Sequence, residues 1–110
     1  MSIEYNREIK KYFSAFNSKD INVLQHLLHQ NVILEDWEGK FLGLSDVISV
    51  ANKVFQKFPS LKIEVLRLVC TKDVSFAEIR IQLNSKSIIN VVDVFEFKNG
   101  KIEKIRAFKK

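Results

Sequence analysis

Val91-Val92-Asp93-Val94-Phe95-Glu96-Phe97, followed by Lys98-Asn99-Gly100-Lys101 and the run Ile102 to Phe108, decides how this chain folds. Two apolar-rich runs flank an Asn-Gly pair. That is a strong hairpin signal, because Asn and Gly accept the positive φ of the tight turn that suits strand twist. Strand side chains alternate between faces. Val91, Asp93, Phe95 and Phe97 therefore share one face, and Asn90, Val92, Val94, Glu96 and Lys98 share the other. Asp93 stands among large apolar residues, where burial raises a carboxyl pKa unless a cation or hydrogen-bond donors compensate.

The turn geometry decides what faces that acid. A two-residue loop, Asn99-Gly100, puts Arg106 opposite Asp93 and makes the pair a structural salt bridge. A three-residue loop, Lys98 to Gly100 with Gly100 as a bulge, puts Ile105 and Ala107 beside Asp93 and leaves it facing an apolar cavity. The sequence leaves both registers open.

Working outward, Tyr5, Ile9, Tyr12, Phe13 and Phe16 follow helical spacing and predict a helix over 3–16. Asn17-Ser18-Lys19-Asp20 breaks it, with Ser18 or Asp20 available to cap a short second helix over 20–29. Val32 to Asp36 reads as a strand, and Trp37-Glu38-Gly39-Lys40 as a turn. A third helix is expected from an N-cap at Ser45 to about Lys57, ended by Pro59. Strands follow at Leu61–Cys70, Val74–Leu83, Ile88–Lys98 and Lys101–Phe108. Helices followed by a meander of strands imply an α+β fold with helices on one face of the sheet. A strongly curved sheet around the first helix would enclose a conical cavity.

At 110 residues the chain is expected to form a single domain, 1–110. No apolar run reaches membrane-spanning length, and Met1-Ser2-Ile3-Glu4-Tyr5 lacks the apolar core of a signal peptide. The lone Cys70 cannot form an internal disulfide, and these features together favour a soluble cytoplasmic protein. The net charge of +5 is spread over the chain apart from Lys98, Lys101, Lys104, Arg106, Lys109 and Lys110. A solvated strand face accounts for that cluster, and no nucleic-acid motif accompanies it. His26 and His29 lie three apart on the second predicted helix, but nothing completes a metal set.

Several stretches carry a resemblance. The element order, Tyr12-Phe13-Ser14-Ala15-Phe16-Asn17-Ser18-Lys19-Asp20, Leu34-Glu35-Asp36, and the hairpin from Val92 to Ile102 resemble the nuclear transport factor 2-like superfamily, in its SnoaL-like and ketosteroid isomerase-like branch. The resemblance implies a cystatin-like α+β barrel, a curved mixed sheet wrapped around the N-terminal helices. It also implies a hydrophobic pocket for a small carbonyl compound, no cofactor, no metal, and a homodimer formed through the exposed sheet face. Ketosteroid isomerases pair a tyrosine and a neutral aspartic acid as hydrogen-bond donors with a second aspartate as base. By that resemblance Tyr12 and Asp93 are the donors and Asp36 the base, with Phe13, Phe16, Trp37, Phe55, Phe95, Phe97 and Ile105 around the ligand.

The chain departs from those isomerases in two ways. Trp37 follows Asp36 where they carry proline, and only Tyr5 is present to back Tyr12. SnoaL-like cyclases use one pocket aspartate as acid and base, a role Asp93 also fits, so a polyketide-like carbonyl compound suits the pattern as well as a steroid does. Each residue has a plainer reading: Tyr12 as a core tyrosine, Asp36 as a turn or cap residue, and Trp37 as a packing or dimer contact. The phenylalanines read as core or cavity wall. The superfold hosts enzymes and non-catalytic modules alike, so a ligand-binding or dimerisation domain is the alternative to an isomerase, dehydratase or cyclase.

Overall fold

The computed structural model describes residues 5–110. The start predicted for the first helix, at Ile3 and Glu4, and most of the N-terminal segment read for a signal peptide lie outside them. The elements are α1 (Asn6–Ser18), α2 (Ile21–Leu27), β1 (Leu28–Asp36), β2 (Gly39–Leu42), α3 (Leu44–Lys57), β3 (Lys62–Cys70), β4 (Val74–Asn84), β5 (Ser87–Lys98) and β6 (Lys101–Lys109). The six strands form one sheet in the order β2-β1-β6-β5-β4-β3. Neighbours are antiparallel except β1 and β6, which pair in parallel. The expected α+β architecture is present, with the sheet open at β2 and β3 and not closed into a barrel.

The apolar stripes of α1 and α3 supply Ile9, Tyr12, Phe13, Val47, Ile48, Ala51 and Phe55 to the core. The inner sheet face supplies Ala77, Ile79, Val91, Phe95, Ile102 and Ile105. Lys19, in the left-handed conformation at φ 57°, closes α1, and its N–H donates to the Phe16 carbonyl over 3.2 Å. Asp20 caps α2 by accepting from the Val23 N–H, whereas the Ser18 hydroxyl donates back to the Ser14 carbonyl. The Asn17 side chain fastens α1 to β3 with a reciprocal pair: Nδ2 donates to the Ile63 carbonyl at 2.9 Å, and Oδ1 accepts the Ile63 N–H at 2.6 Å.

The helix boundaries differ from the sequence reading: α1 runs two residues past Phe16, through Asn17 to Ser18, before Lys19 closes it. α2 ends at Leu27 instead of residue 29, because Leu28 is already extended and pairs with Ile102 of β6. Sheet pairing here overrides a weak local helical preference. His29 consequently sits on a strand, away from the helical face it was expected to share with His26. α3 begins at Leu44, and its N-cap is Gly43 instead of Ser45. Gly43 takes a φ of 90° that a side chain disfavours, and its N–H donates to the Val32 carbonyl at 2.8 Å.

The β5–β6 hairpin resolves the register in a way neither sequence alternative contained. Its loop has two residues, Asn99 at φ 53° and Gly100 at φ 79°, with Lys98 paired to Lys101. Beyond the turn the pairing jumps from Phe97–Ile102 to Glu96–Lys104, so Glu103 is an extra, bulged residue in β6. The bulge shifts every later pair by one. Phe95 then faces Ile105, and Asp93 faces Ala107. Arg106 turns to the outer face, where it approaches Glu96 at 3.7 Å. The salt bridge between Asp93 and Arg106 that a two-residue loop implied does not form.

Candidate active site

The site is built around Asp93. On the inner face its cross-strand neighbours are Ala77 on β4 and Ala107 on β6. Both cross-strand neighbours carry only a methyl group, while Phe95, fully buried, stands two residues along the same face. Asp93 is only 7% exposed, and no hydrogen bond or ion pair reaches its carboxyl oxygens from the described residues. Burial pushes its pKa up to about 7, and the negative charge of Asp36 pushes in the same direction.

Asp36 reaches this neighbourhood through sheet geometry. β1 runs parallel to β6 with Leu34 beside Ile105 and Glu35 beside Arg106. One further step along that register puts Asp36 beside Ala107. Asp36 and Asp93 thus occupy one row on the concave face, two strands or about 10 Å of backbone apart. Asp36 Oδ1 accepts the N–H groups of Glu38 at 2.8 Å and Gly39 at 3.1 Å, which fixes the β1–β2 turn. The other oxygen, Oδ2, takes no part in that turn. Asp36 is therefore the turn residue of its plainer reading and also an acid of this row.

Tyr12 comes from α1 and is 9% exposed. Its ring meets Phe95 edge-on at 5.5 Å and Phe13 at 5.2 Å, which lays it over the middle of β5. Burial, and after it the charge of Asp93, hold its hydroxyl neutral by raising its pKa far above the ordinary phenol value. Tyr12, Asp36 and Asp93 thus share one side of the sheet, and their electrostatics are linked in a chain through Asp93.

The expected cone is nearly filled. A void of about 40 Å³ remains between α1, α2, α3 and β1, lined by Tyr12, Phe16, Leu24, Leu28, Leu34, Val47, Ile48, Val50 and Ala51. Of the aromatic residues expected around a ligand, Phe16 alone joins Tyr12 in that lining. Phe13 and Phe95 pack on Tyr12 as core, and Ile105 is buried beside them. Phe55 backs Phe16 edge-on at 4.9 Å. Phe97 stacks on Tyr5 at 3.7 Å between ring centres. Trp37 is 44% exposed, beyond the Asp36 turn, with the Lys109 ammonium 5.1 Å above its ring; it does not reach the void. The aliphatic lining was legible only as helical stripes and a strand, so the sequence marked those residues as core.

Other candidate groups lie apart. His26 Nδ1 is 2.7 Å from the Asn22 carbonyl, and His29 Nδ1 accepts the Asn31 N–H at 3.0 Å. Among the described residues no group of three or more His, Cys, Asp or Glu side chains is arranged to hold a metal ion. The Cys70 thiol donates to Asn6 Oδ1 at 3.1 Å. No helix among the described residues is long and apolar enough to cross a membrane.

Comparison with known proteins agrees with this architecture. The family model of the SnoaL-like domain matches residues 9–105. Among solved structures, a nuclear transport factor 2-like protein of unknown function from Cytophaga hutchinsonii superposes with a TM-score of 0.86 at 14% identity, covering 100% of this chain and 93% of that one. A candidate ketosteroid isomerase from Kribbella flavida gives 0.84 at 19% identity, with 94% and 76% covered. A candidate polyketide cyclase from Sinorhizobium meliloti gives 0.84 at 17%, with 92% and 93% covered. At these identities the likeness is one of fold. No curated protein sequence matches the chain.

Proposed function

The chain belongs to the SnoaL-like domain family, and from that premise we propose that it transfers protons on a small carbonyl compound, as an isomerase or dehydratase, or as a cyclase. The observation that carries this reading is Asp93: buried, without a partner among the described residues, flanked by two alanines, and with its pKa pushed up by burial to about 7. A carboxyl group poised there supplies a proton or a hydrogen bond at neutral pH. In the proposed reaction Asp36, through Oδ2, removes a proton from the carbon next to the carbonyl. The electron pair moves onto the carbonyl oxygen, which accepts hydrogen bonds from the Tyr12 hydroxyl and from protonated Asp93. Return of the proton to another carbon completes an isomerisation. Expulsion of a neighbouring hydroxyl, protonated as it leaves, completes a dehydration.

Asp93→Asn tests this directly. The amide keeps the shape and loses the titrating proton. With a ketone in heavy water, the wild type is expected to exchange the protons next to the carbonyl, and Asp93→Asn to lose at least about a hundredfold of that rate. An unchanged rate in a folded variant removes the acid–base role.

A second reading has its own support. The ring packing of Tyr12, Phe13 and Phe95 and the small void suit a module that binds a partner and does no chemistry. Its partner surface is the outer sheet face, where Val69, Phe76 and Val94 lie in one cross-strand row and Phe108 pairs with Val92. We propose that a second copy of this chain covers that face. A single cysteine outside any disulfide fits the reducing cytoplasm as the setting for either reading.

A further inference from the structure

Resting on the acid–base reading above, we infer that the ligand of this site is a short aliphatic carbonyl compound, with an apolar part of about three or four carbon atoms, and not a fused-ring one. The void beside Tyr12 measures about 40 Å³. At roughly 10–15 Å³ for each water-sized group, it accepts about three of them. Pockets for drug-sized molecules are roughly ten times larger or more.

The walls are not free to retreat. Leu24, Leu28, Val47, Ile48 and Ala51 are all buried core residues, and close-packed interiors yield little without a change of side chain. Their chemistry is equally restrictive. Tyr12 is the one lining residue with a polar side chain, and it is also the residue that feels the charge of Asp93. A ligand that suits this void carries its oxygen at Tyr12, on the side from which the Asp93 charge acts, and a short hydrocarbon part against the aliphatic walls. Such a molecule is too short for two distant carbons to be brought together. The geometry therefore favours a proton shift or loss of water between adjacent carbons over ring closure.

Amide-resolved NMR titration with butanone and with decalone, a ketone of two fused rings, tests the size limit. Butanone is expected to shift the resonances of Leu24, Val47 and Ala51 saturably in the wild type. Decalone is expected to leave them unmoved. Ala51→Leu fills the void and Val50→Phe closes its rim; each is expected to weaken butanone binding by at least about tenfold. The two changes sit at different depths of α3, so that a folding failure in one, visible in its spectrum, leaves the other to decide.

Decalone binding as tightly as butanone overturns the inference. So does butanone leaving all three resonances in place, or binding undiminished in the folded variants. The outcome is separable from that of the acid–base reading. Proton exchange that persists in Asp93→Asn while butanone still seats in the void sinks the chemistry and keeps the size limit. Exchange that depends on Asp93 while decalone binds does the reverse.

Discussion

The two faces of β5 differ by one residue and by opposite anomalies. At Asp93 the inner row reads Ala77, Asp93, Ala107, a carboxyl group set among apolar neighbours. At Val94 the outer row reads Val69, Phe76, Val94, Arg106. There the exposed apolar residues are ringed by ion pairs, Arg80–Glu64 at 3.1 Å, Lys110–Glu78 at 2.9 Å and Arg106–Glu96 at 3.7 Å. Buried acids and exposed apolar patches are the two departures from ordinary burial that most often mark a site. Strand alternation lets one segment carry both. The bulge at Glu103 keeps them apart, by sending the Arg106 cation outward and Ala107 inward.

Exchanging Ile105 and Arg106 is the sharpest way to break that arrangement. The double change Ile105→Arg with Arg106→Ile sets a guanidinium in the inner row opposite Phe95 and turns an isoleucine to the outer face. Losing buried Ile105 costs about 2–3 kcal/mol, and burying the cation costs several more. Against a total stability of about 5–15 kcal/mol, the variant is expected to show no cooperative unfolding transition in denaturant. A cooperatively folding variant would show that the inner row tolerates a cation near Asp93.

The next effect belongs to the inner face alone. The folded protein holds the Asp93 proton up to about pH 7, whereas an unfolded chain releases it near the ordinary carboxyl value. Between those values the native state binds more protons, so stability falls as pH rises through this window. The contribution is at most about 4 kcal/mol and is complete below the unfolded value. Asp93→Asn is expected to flatten the slope of unfolding free energy between about pH 4 and 7, and to be more stable than the wild type at pH 8. A variant with the wild-type slope would show that Asp93 does not titrate in this range.

Much of the fold was readable because its signals are local and repeated. Helical spacing in α1 and α3, alternation in β4 and β5, and Asn99-Gly100 all point to the same answer. The details that position the site are not of that kind. Leu28 looks helical until β6 pairs with it, and Gly43 displaces Ser45 as the cap through a backbone angle that composition does not reveal. The bulge at Glu103 has no local signature, yet it settles whether Asp93 meets an alanine or a guanidinium. Asp36 was readable both as a turn residue and as an acid; its Oδ1 holds the turn, and Oδ2 takes no part in it. The aliphatic void was hidden because lining residues and core residues obey the same periodicity.

The smallest predicted effect sharpens the comparison from the outer side. If a second copy covers that face, its interface is isologous, and each substitution counts twice in the dimer. Phe76 is 42% exposed in the single chain and Phe108 is 54% exposed, so replacing Phe76 by Lys costs a monomer at most about 0.5 kcal/mol. In a dimer the same change sets two ammonium groups into a surface already bordered by Arg67, Arg106 and Lys104, with loss of two aromatic contacts. The dimer dissociation constant is expected to rise by about tenfold or more, read by sedimentation equilibrium, while the denaturation midpoint measured at concentrations where the chain is monomeric stays put. Asp93→Asn, one residue from the outer row, is expected to leave that constant alone. A wild type that sediments as a monomer at micromolar concentration would remove the partner, and the outer patch would then lack the occupant its composition suggests.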